Sequence, residues 1–218
     1  MAIQGNEIVS TARDLLNDSG LRWQDPTCLR GLNFARREIV IYLPSANSIA
    51  AKPTLQAGTR QTMTGLNLVG GLQFLDVPRN FSNDGNTPGR SIIKAERAWL
   101  DETRPDWHND APSNVIQHYC LDNRDPKAMY VWPPSTGAAK AEVIYSAAPT
   151  DMAAVSDPIG LDDIYANPMA YYLLFFLLAV NKPGQAIPPL AQVWYSQFLQ
   201  VLGVKDQRVR SAHVKDPS

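Results

Sequence analysis

Helical periodicity at both ends of the chain, with strand-like periodicity between them, limits this sequence to very few folds. Near the N-terminus, Asn6 to Leu16 carries Ile8, Ala12, Leu15 and Leu16 on one stripe, the spacing of a helix with one apolar face. Asn17-Asp18-Ser19-Gly20 should end it, with Gly20 taking the left-handed C′ position. After a tryptophan turn, Leu21 to Pro26, a second helix should start with Asp25 as N-cap and Pro26 at the first turn and run to Pro44. Its stripe is Leu29, Leu32, Ala35, Ile39 and Leu43, with Arg30, Arg36, Arg37 and Glu38 facing away. Two further helical stretches, Leu161 to Val180 and Leu190 to Leu202, lie more than a hundred residues downstream. Terminal helices of this kind have to bury their apolar faces on one another.

From Ser48 the period falls to two. Ser48–Leu55 and Thr59–Thr64 should pair as a hairpin about Gln56-Ala57-Gly58, with Leu72–Asn80 as a third strand and 81–89 as an exposed loop. Ser91–Ala95 is a strand, Glu96–Thr103 a short helix, and Val115–Leu121 and Met129–Trp132 flank the turn 122–126. Pro133-Pro134 should stop that last strand, because proline cannot donate to a ladder. Ala141, Val143 and Tyr145 alternate with Glu142, Ile144 and Ser146 in a final strand. The expected fold class is α+β: an antiparallel bundle of about four helices (1–47 and 158–203), interrupted by a β-rich antiparallel insert (48–157), with an extended, flexible tail (204–218).

The segment Tyr171–Val180 is apolar on every face. Its ten residues reach about 15 Å, half a bilayer core, so it reads as a buried helix and not a membrane span. Four helices cover such a segment only in part, and Tyr172, Leu174, Phe175, Phe176 and Leu178 are therefore candidates for contact with another subunit. Pro168 should kink this helix if it is continuous there. Asn181-Lys182-Pro183-Gly184 is a stop, Pro188-Pro189 opens the final helix with the stripe Leu190, Val193, Trp194, Phe198, Val201 and Leu202, and Gly203 should cap it.

The composition narrows function mainly by what it lacks. Twenty basic and 21 acidic residues give a net charge of −1, far from the concentrated positive charge of a DNA-condensing protein. A near-neutral surface does suit a conduit past which DNA must slide. The first twenty residues have no basic and apolar leader pattern. Cys28 and Cys120 read as two buried, reduced thiols. His108, His118 and His213 stand at no metal-ligand spacing, and no nucleophile elbow, Walker loop or dinucleotide fingerprint occurs. Asp101-Glu102 and Asp162-Asp163 are adjacent pairs, which point about 100° apart on a helix and so do not converge on a substrate. Trp107 and Trp132 are the candidates for stacking on a sugar. No catalytic residue, cofactor or metal is expected.

Arg22-Trp23-x-Asp25, followed by Leu32-Asn33-x-Ala35-x-Arg37-Glu38-Ile39-Val40 and Pro44, resembles the opening of the head-to-tail adaptor proteins of tailed bacteriophages, mainly short-tailed ones. Similar segments recur in order: 57–62, Asp76-Val77-x-Arg79-Asn80, Pro105-Asp106-Trp107-His108, Gln117-His118-Tyr119, 125–134, Tyr145-Ser146-Ala147-Ala148-Pro149 and 161–167. The resemblance covers about residues 6–203 and departs at Pro168, where the family pattern continues as uninterrupted helix. It implies a structural virion protein made in the host cytoplasm and placed at the portal–tail junction. It further implies a ring, usually of twelve copies, that extends the portal channel and contacts the portal, the tail nozzle or tube, and itself. Genomic DNA would pass through without specific binding, and no membrane is involved. In the tail, Arg208, Val209, Arg210, His213, Val214 and Lys215 are the expected portal-binding residues. The alternatives are a virion-associated peptidoglycan hydrolase, which needs two converging carboxylates, and a carbohydrate-binding tail component, which needs exposed aromatics on one face.

Overall fold

In the computed structural model, which describes residues 2–82, 84–180 and 187–213 (204–213 by backbone alone), the chain is mixed α+β, with five α-helices and several antiparallel sheets among those residues. It divides into two compact units, one formed by residues 1–46 with 149–218 and the other by residues 47–148.

In the first unit, α1 (Gly5–Leu16) begins where the Glu7 carboxylate accepts the Gln4 amide at 3.0 Å, one half of a capping box. Ile8, Val9 and Ala12 are buried, whereas Leu15 is 56% exposed and leaves the expected stripe. The left-handed residue at the C-cap is Asn17 (φ 51°), not Gly20, because a short polar side chain tolerates that region nearly as well. α2 (Asp25–Tyr42) starts one residue earlier than expected, with Gln24 as N-cap. Pro26 sits in its first turn, where no intrahelical donor is lost.

The apolar helix is α4 (Ala166–Val180), and it packs against α1, α2 and α5 (Pro189–His213). It is entered through a 3₁₀ turn, Asp163–Tyr165, so Pro168 falls in its first turn, where the ring opposes no helical carbonyl. That placement removes the reason for the expected kink. By length and composition, residues 163–180 would suffice to cross a bilayer, but half of the stretch is buried inside the protein. Close approach explains how so few helices cover it. A Cβ on Gly31 of α2 would lie 2.7 Å from Leu173 and Phe176, so glycine lets the two helices touch. The opposite side is filled by aromatic contacts from α5: Tyr171 on Trp194 at 5.8 Å, Phe175 on Tyr195 at 4.8 Å and Tyr172 on Phe198 at 5.2 Å between ring centres.

The buried face of α5 is Ala191, Phe198 and Leu202, with Trp194 and Tyr195 half-buried; Leu190 and Val193 of the expected stripe are exposed. Gly203 does not cap the helix, which continues through it to His213. The Gly203 φ is not in the left-handed region, and a Cβ there would meet nothing within 4 Å. Gly203→Ala should therefore stabilise the protein by about 1 kcal/mol, the helix-propensity difference, measured as a rise in urea midpoint. A fall would restore the capping role. The stop expected at 181–184 lies outside the described residues.

Two polar anchors tie distant segments into this unit. The buried Trp23 indole donates to the Leu177 carbonyl at 3.1 Å, satisfying a last-turn acceptor of α4. Asn33 binds the backbone of Met152 from both sides, accepting its N–H at 2.8 Å and donating to its C=O at 3.1 Å. Arg36, expected to face solvent, is 5% exposed and donates to Thr150 O at 2.8 Å. Buried guanidinium is tolerated here because the chain leaving the sheets presents a carbonyl to it, and burial lowers its pKa.

The second unit holds ten strands in three sheets among the described residues. β1 (Ser48–Ala51) pairs with β10 (Val143–Ala147), which pairs with β3 (Gly71–Asp76). β2 (Gly58–Thr62) pairs with β8 (Ala128–Ser135), so the expected hairpin between the first two strands does not form. Each of those strands pairs instead with a longer strand distant in sequence. The expected third strand splits into β3 and β4 (Arg79–Phe81); β4 lies between β5 (Pro88–Ser91) and β9 (Lys140–Ala141). β6 (Ile93–Lys94) runs parallel to β7 (His118–Leu121), and β7 forms the expected hairpin with β8. β8 does not stop at Pro133. Proline keeps its acceptor, and Pro134 O takes the Ser113 amide at 2.8 Å.

The sheets enclose a core that includes Leu55, Phe74, Val77, Ile116, Tyr119, Met129, Val131 and Val143. Asn80 is buried within it and fully engaged. It donates to Arg90 O (2.9 Å) and Ile116 O (2.8 Å) and accepts from Ile116 N (2.8 Å).

Candidate functional site

The residues proposed for subunit contact divide by burial. Leu174 is fully buried, and Tyr172 and Phe176 are nearly so, all inside their own helical unit. Phe175 and Leu178 are only half-buried. The inner three support the helix from within, and only the outer two keep area for a neighbour. Arg208, Val209, Arg210 and His213 fall on the last part of α5, while Val214 and Lys215 lie outside the described residues.

The carboxylate pairs serve the fold. Asp101 accepts the Trp107 indole at 2.8 Å and pairs with Arg97 at 3.5 Å, and Asp163 accepts the Ile3 amide at 3.1 Å. No group of three His, Cys, Asp or Glu able to hold a metal occurs among the described residues. Both cysteines are free and buried. Burial raises both thiols, Cys120 to about 11, which keeps them protonated and poorly nucleophilic.

Neither tryptophan singled out for sugar stacking has a free ring face. Trp107 is fully buried beneath His108, with ring centres 3.7 Å apart. Trp132 is covered by His118 at 5.5 Å and by the Arg104 guanidinium at 4.8 Å. The exposed tryptophan is Trp99, on α3 (Arg97–Thr103), 47% exposed with its ring 5.4 Å from His118. Nothing in the sequence marks it, because a short, mostly polar helix has no period from which to assign its face.

Trp99, His118, Trp132 and Arg104 thus form one continuous run of contacts, with the rings tilted on one another. Register builds it: Ile93, His118 and Trp132 are direct partners across β6, β7 and β8, and so share a sheet face. Asp110 fixes the far end, accepting the Trp132 indole at 2.7 Å and Arg104 at 3.3 Å. At the other end of this face, Leu100 and Trp107 cover Cys120. Burial, with a lesser push from Arg90, lowers the His118 pKa below its ordinary value despite a hydrogen bond with Ile93 backbone that opposes the shift. The imidazole is therefore neutral at neutral pH. Its Nδ1 is buried with no hydrogen-bond partner among the described residues.

A family model described as SU10 adaptor protein matches residues 5–216. No curated protein matches the chain. The family match runs past Gly203 into the segment that the motif resemblance leaves out. A model that spans nearly the whole chain places it: this protein belongs to the SU10 adaptor protein family, in agreement with its resemblance to the head-to-tail adaptors of tailed phages.

Proposed function

We propose that the protein is a structural component of a tailed-phage virion, a head-to-tail adaptor that forms a ring of twelve copies below the portal. In that position it extends the DNA channel and offers its other side to the tail nozzle or tube. The family match over residues 5–216 carries this reading. The subunit is then a helical bundle opened by a β-rich insert, with the bundle building the ring. Ring contacts would use Phe175 and Leu178 of α4 together with the exposed Leu190 and Val193 of α5. A contact of two different surfaces closes into a ring when its rotation permits. A net charge of −1 suits a channel that does not retain DNA.

The portal would be gripped by the end of α5, where Arg208, Val209, Arg210 and His213 precede Val214 and Lys215. A chain ending at Gly203 should keep the full protein's thermal midpoint and lose portal binding. Mass measurements of each form, alone and mixed with portal, provide the test: subunits alone, and a ring only on the portal for the full chain. Full portal affinity in the truncated chain, or a stable two-fold dimer that ignores the portal, would overturn the assignment.

A further inference from the structure

α1 and α2 both turn their buried stripes onto α4, and each leaves a second stripe on its opposite side. On α1 that stripe is Glu7, Thr11 and Asp14, all exposed, at spacings of four and three residues that keep them on one line along the helix. On α2 it is Arg30, Phe34, Arg37 and Ile41, at spacings of four, three and four, and again all exposed. Such spacing is that of a seam along which two helices pack. The α2 line is not simply a solvated face, since Ile41 is 66% exposed and Phe34 37%. Its cations lie against aromatic rings, Arg30 over Phe176 at 5.6 Å and Arg37 over Phe34 at 5.8 Å.

The two lines match in charge and in spacing. Asp14 and Arg30 enter no ion pair among the described residues. Arg37 reaches Asp151 at 2.5 Å and still leaves 47% of its side chain exposed. Glu7 and Asp14 are seven residues apart, as are Arg30 and Arg37, which is about 10.5 Å on either helix. Two carboxylates of one copy can therefore meet two guanidiniums of another together. Laid antiparallel, Asp14 meets Arg30, Glu7 meets Arg37, and Ile41 reaches Ile3, just before α1. Laid parallel, the same pairing would set Ile41 on Asp18, so the antiparallel order is favoured. Contact of α1 with α1, or of α2 with α2, would bring like charges together. What remains is a contact between two different faces, the kind that closes into a ring.

We propose that the outer face of α1 in one copy docks on the outer face of α2 in the next, with Asp14 and Arg30 fixing its register. The inference rests on the ring reading above. To the apolar contacts of α4 and α5 it adds a charged pair of faces that gives the ring a direction. Exposed ion pairs add little affinity, whereas like charges forced together oppose it strongly, so charge reversal is the sharp test.

The full chain and its variants can be titrated onto portal, reading the number of subunits bound by mass and the concentration that half-fills the ring. Asp14→Arg and Arg30→Glu should each raise that concentration at least tenfold. Both residues are exposed, so thermal midpoints should stay near that of the unaltered chain. The double variant should return to within threefold of it. An equal mixture of the two single variants should assemble as well, because each carries the face that the other needs. A ring of the unaltered chain that forms equally well from either single variant, or a double variant no better than the singles, would overturn this inference and leave the ring reading standing. An unaltered chain that adds no ring to portal would remove both.

Discussion

Leu174→Asp should leave the helical unit unable to fold. Leu174 is fully buried in α4, within the cluster that joins all of α1, α2, α4 and α5. Removing its apolar bulk alone costs about 2–5 kcal/mol. An aspartate there must either ionise without a partner or take up a proton, which adds several kcal/mol. The sum approaches the whole stability of a typical domain. Circular dichroism should show lost helix and no cooperative transition at the wild-type midpoint. Phe175→Asp, one residue on and half-buried, should by contrast leave a folded subunit that fails to build a ring on the portal. A folded, assembling Leu174→Asp protein would mean that α4 is not the core of this unit.

Asn80→Ala should be the most damaging small substitution in the sheet unit. It removes no large volume, yet it strands the buried Ile116 N–H and C=O and leaves the part-buried Arg90 C=O to water. Each buried group left without a partner costs about 1–3 kcal/mol, so a loss of roughly 2 kcal/mol or more is expected. Hydrogen exchange should reveal it: protection falls across 79–81, 90–92 and 116–121 while amides of α2 and α4 keep theirs. A loss below about 1 kcal/mol would show that water replaces the amide, and that the network is not sealed.

What the sequence made legible follows from period. α1, α2 and α4, the β7–β8 hairpin and the alternation around Val143 all carry strong local patterns, and the structure has each of them. Pairing between strands was less legible. Gln56-Ala57-Gly58 has the residues of a turn, but the strands beside it take β10 and β8 as partners instead; nothing local records which distant strand buries an edge better. Burial of charge was hidden too. A charge read as facing away from the apolar stripe is buried at Arg36, where Asn33 and the carbonyl of Thr150, 114 residues later, accept from it. At Gly203, composition misled: glycine in a polar context signals a stop, yet a helix anchored upstream by Phe198 and Leu202 can run through it. Trp99 is unmarked in the sequence for a related reason. Its importance lies in the ring it touches, and His118 reaches that place only through the register of β6 on β7.

The Trp23–Leu177 hydrogen bond spans 154 positions of sequence, and the Ile3–Asp163 bond spans 160. Such bonds set an order of events during synthesis. At about 5–20 residues per second, α1 and α2 leave the ribosome on the order of ten seconds or more before α4 exists to cover them. Residues 47–148, by contrast, form one contiguous compact unit, whose pairing partners are all available once that stretch has emerged. The apolar faces of Ile8, Val9, Leu32 and Ile39 therefore wait uncovered while the sheets close. For this chain, the period of greatest exposure to aggregation or proteolysis falls early in life, at its N-terminal end, and ends only when α4 arrives.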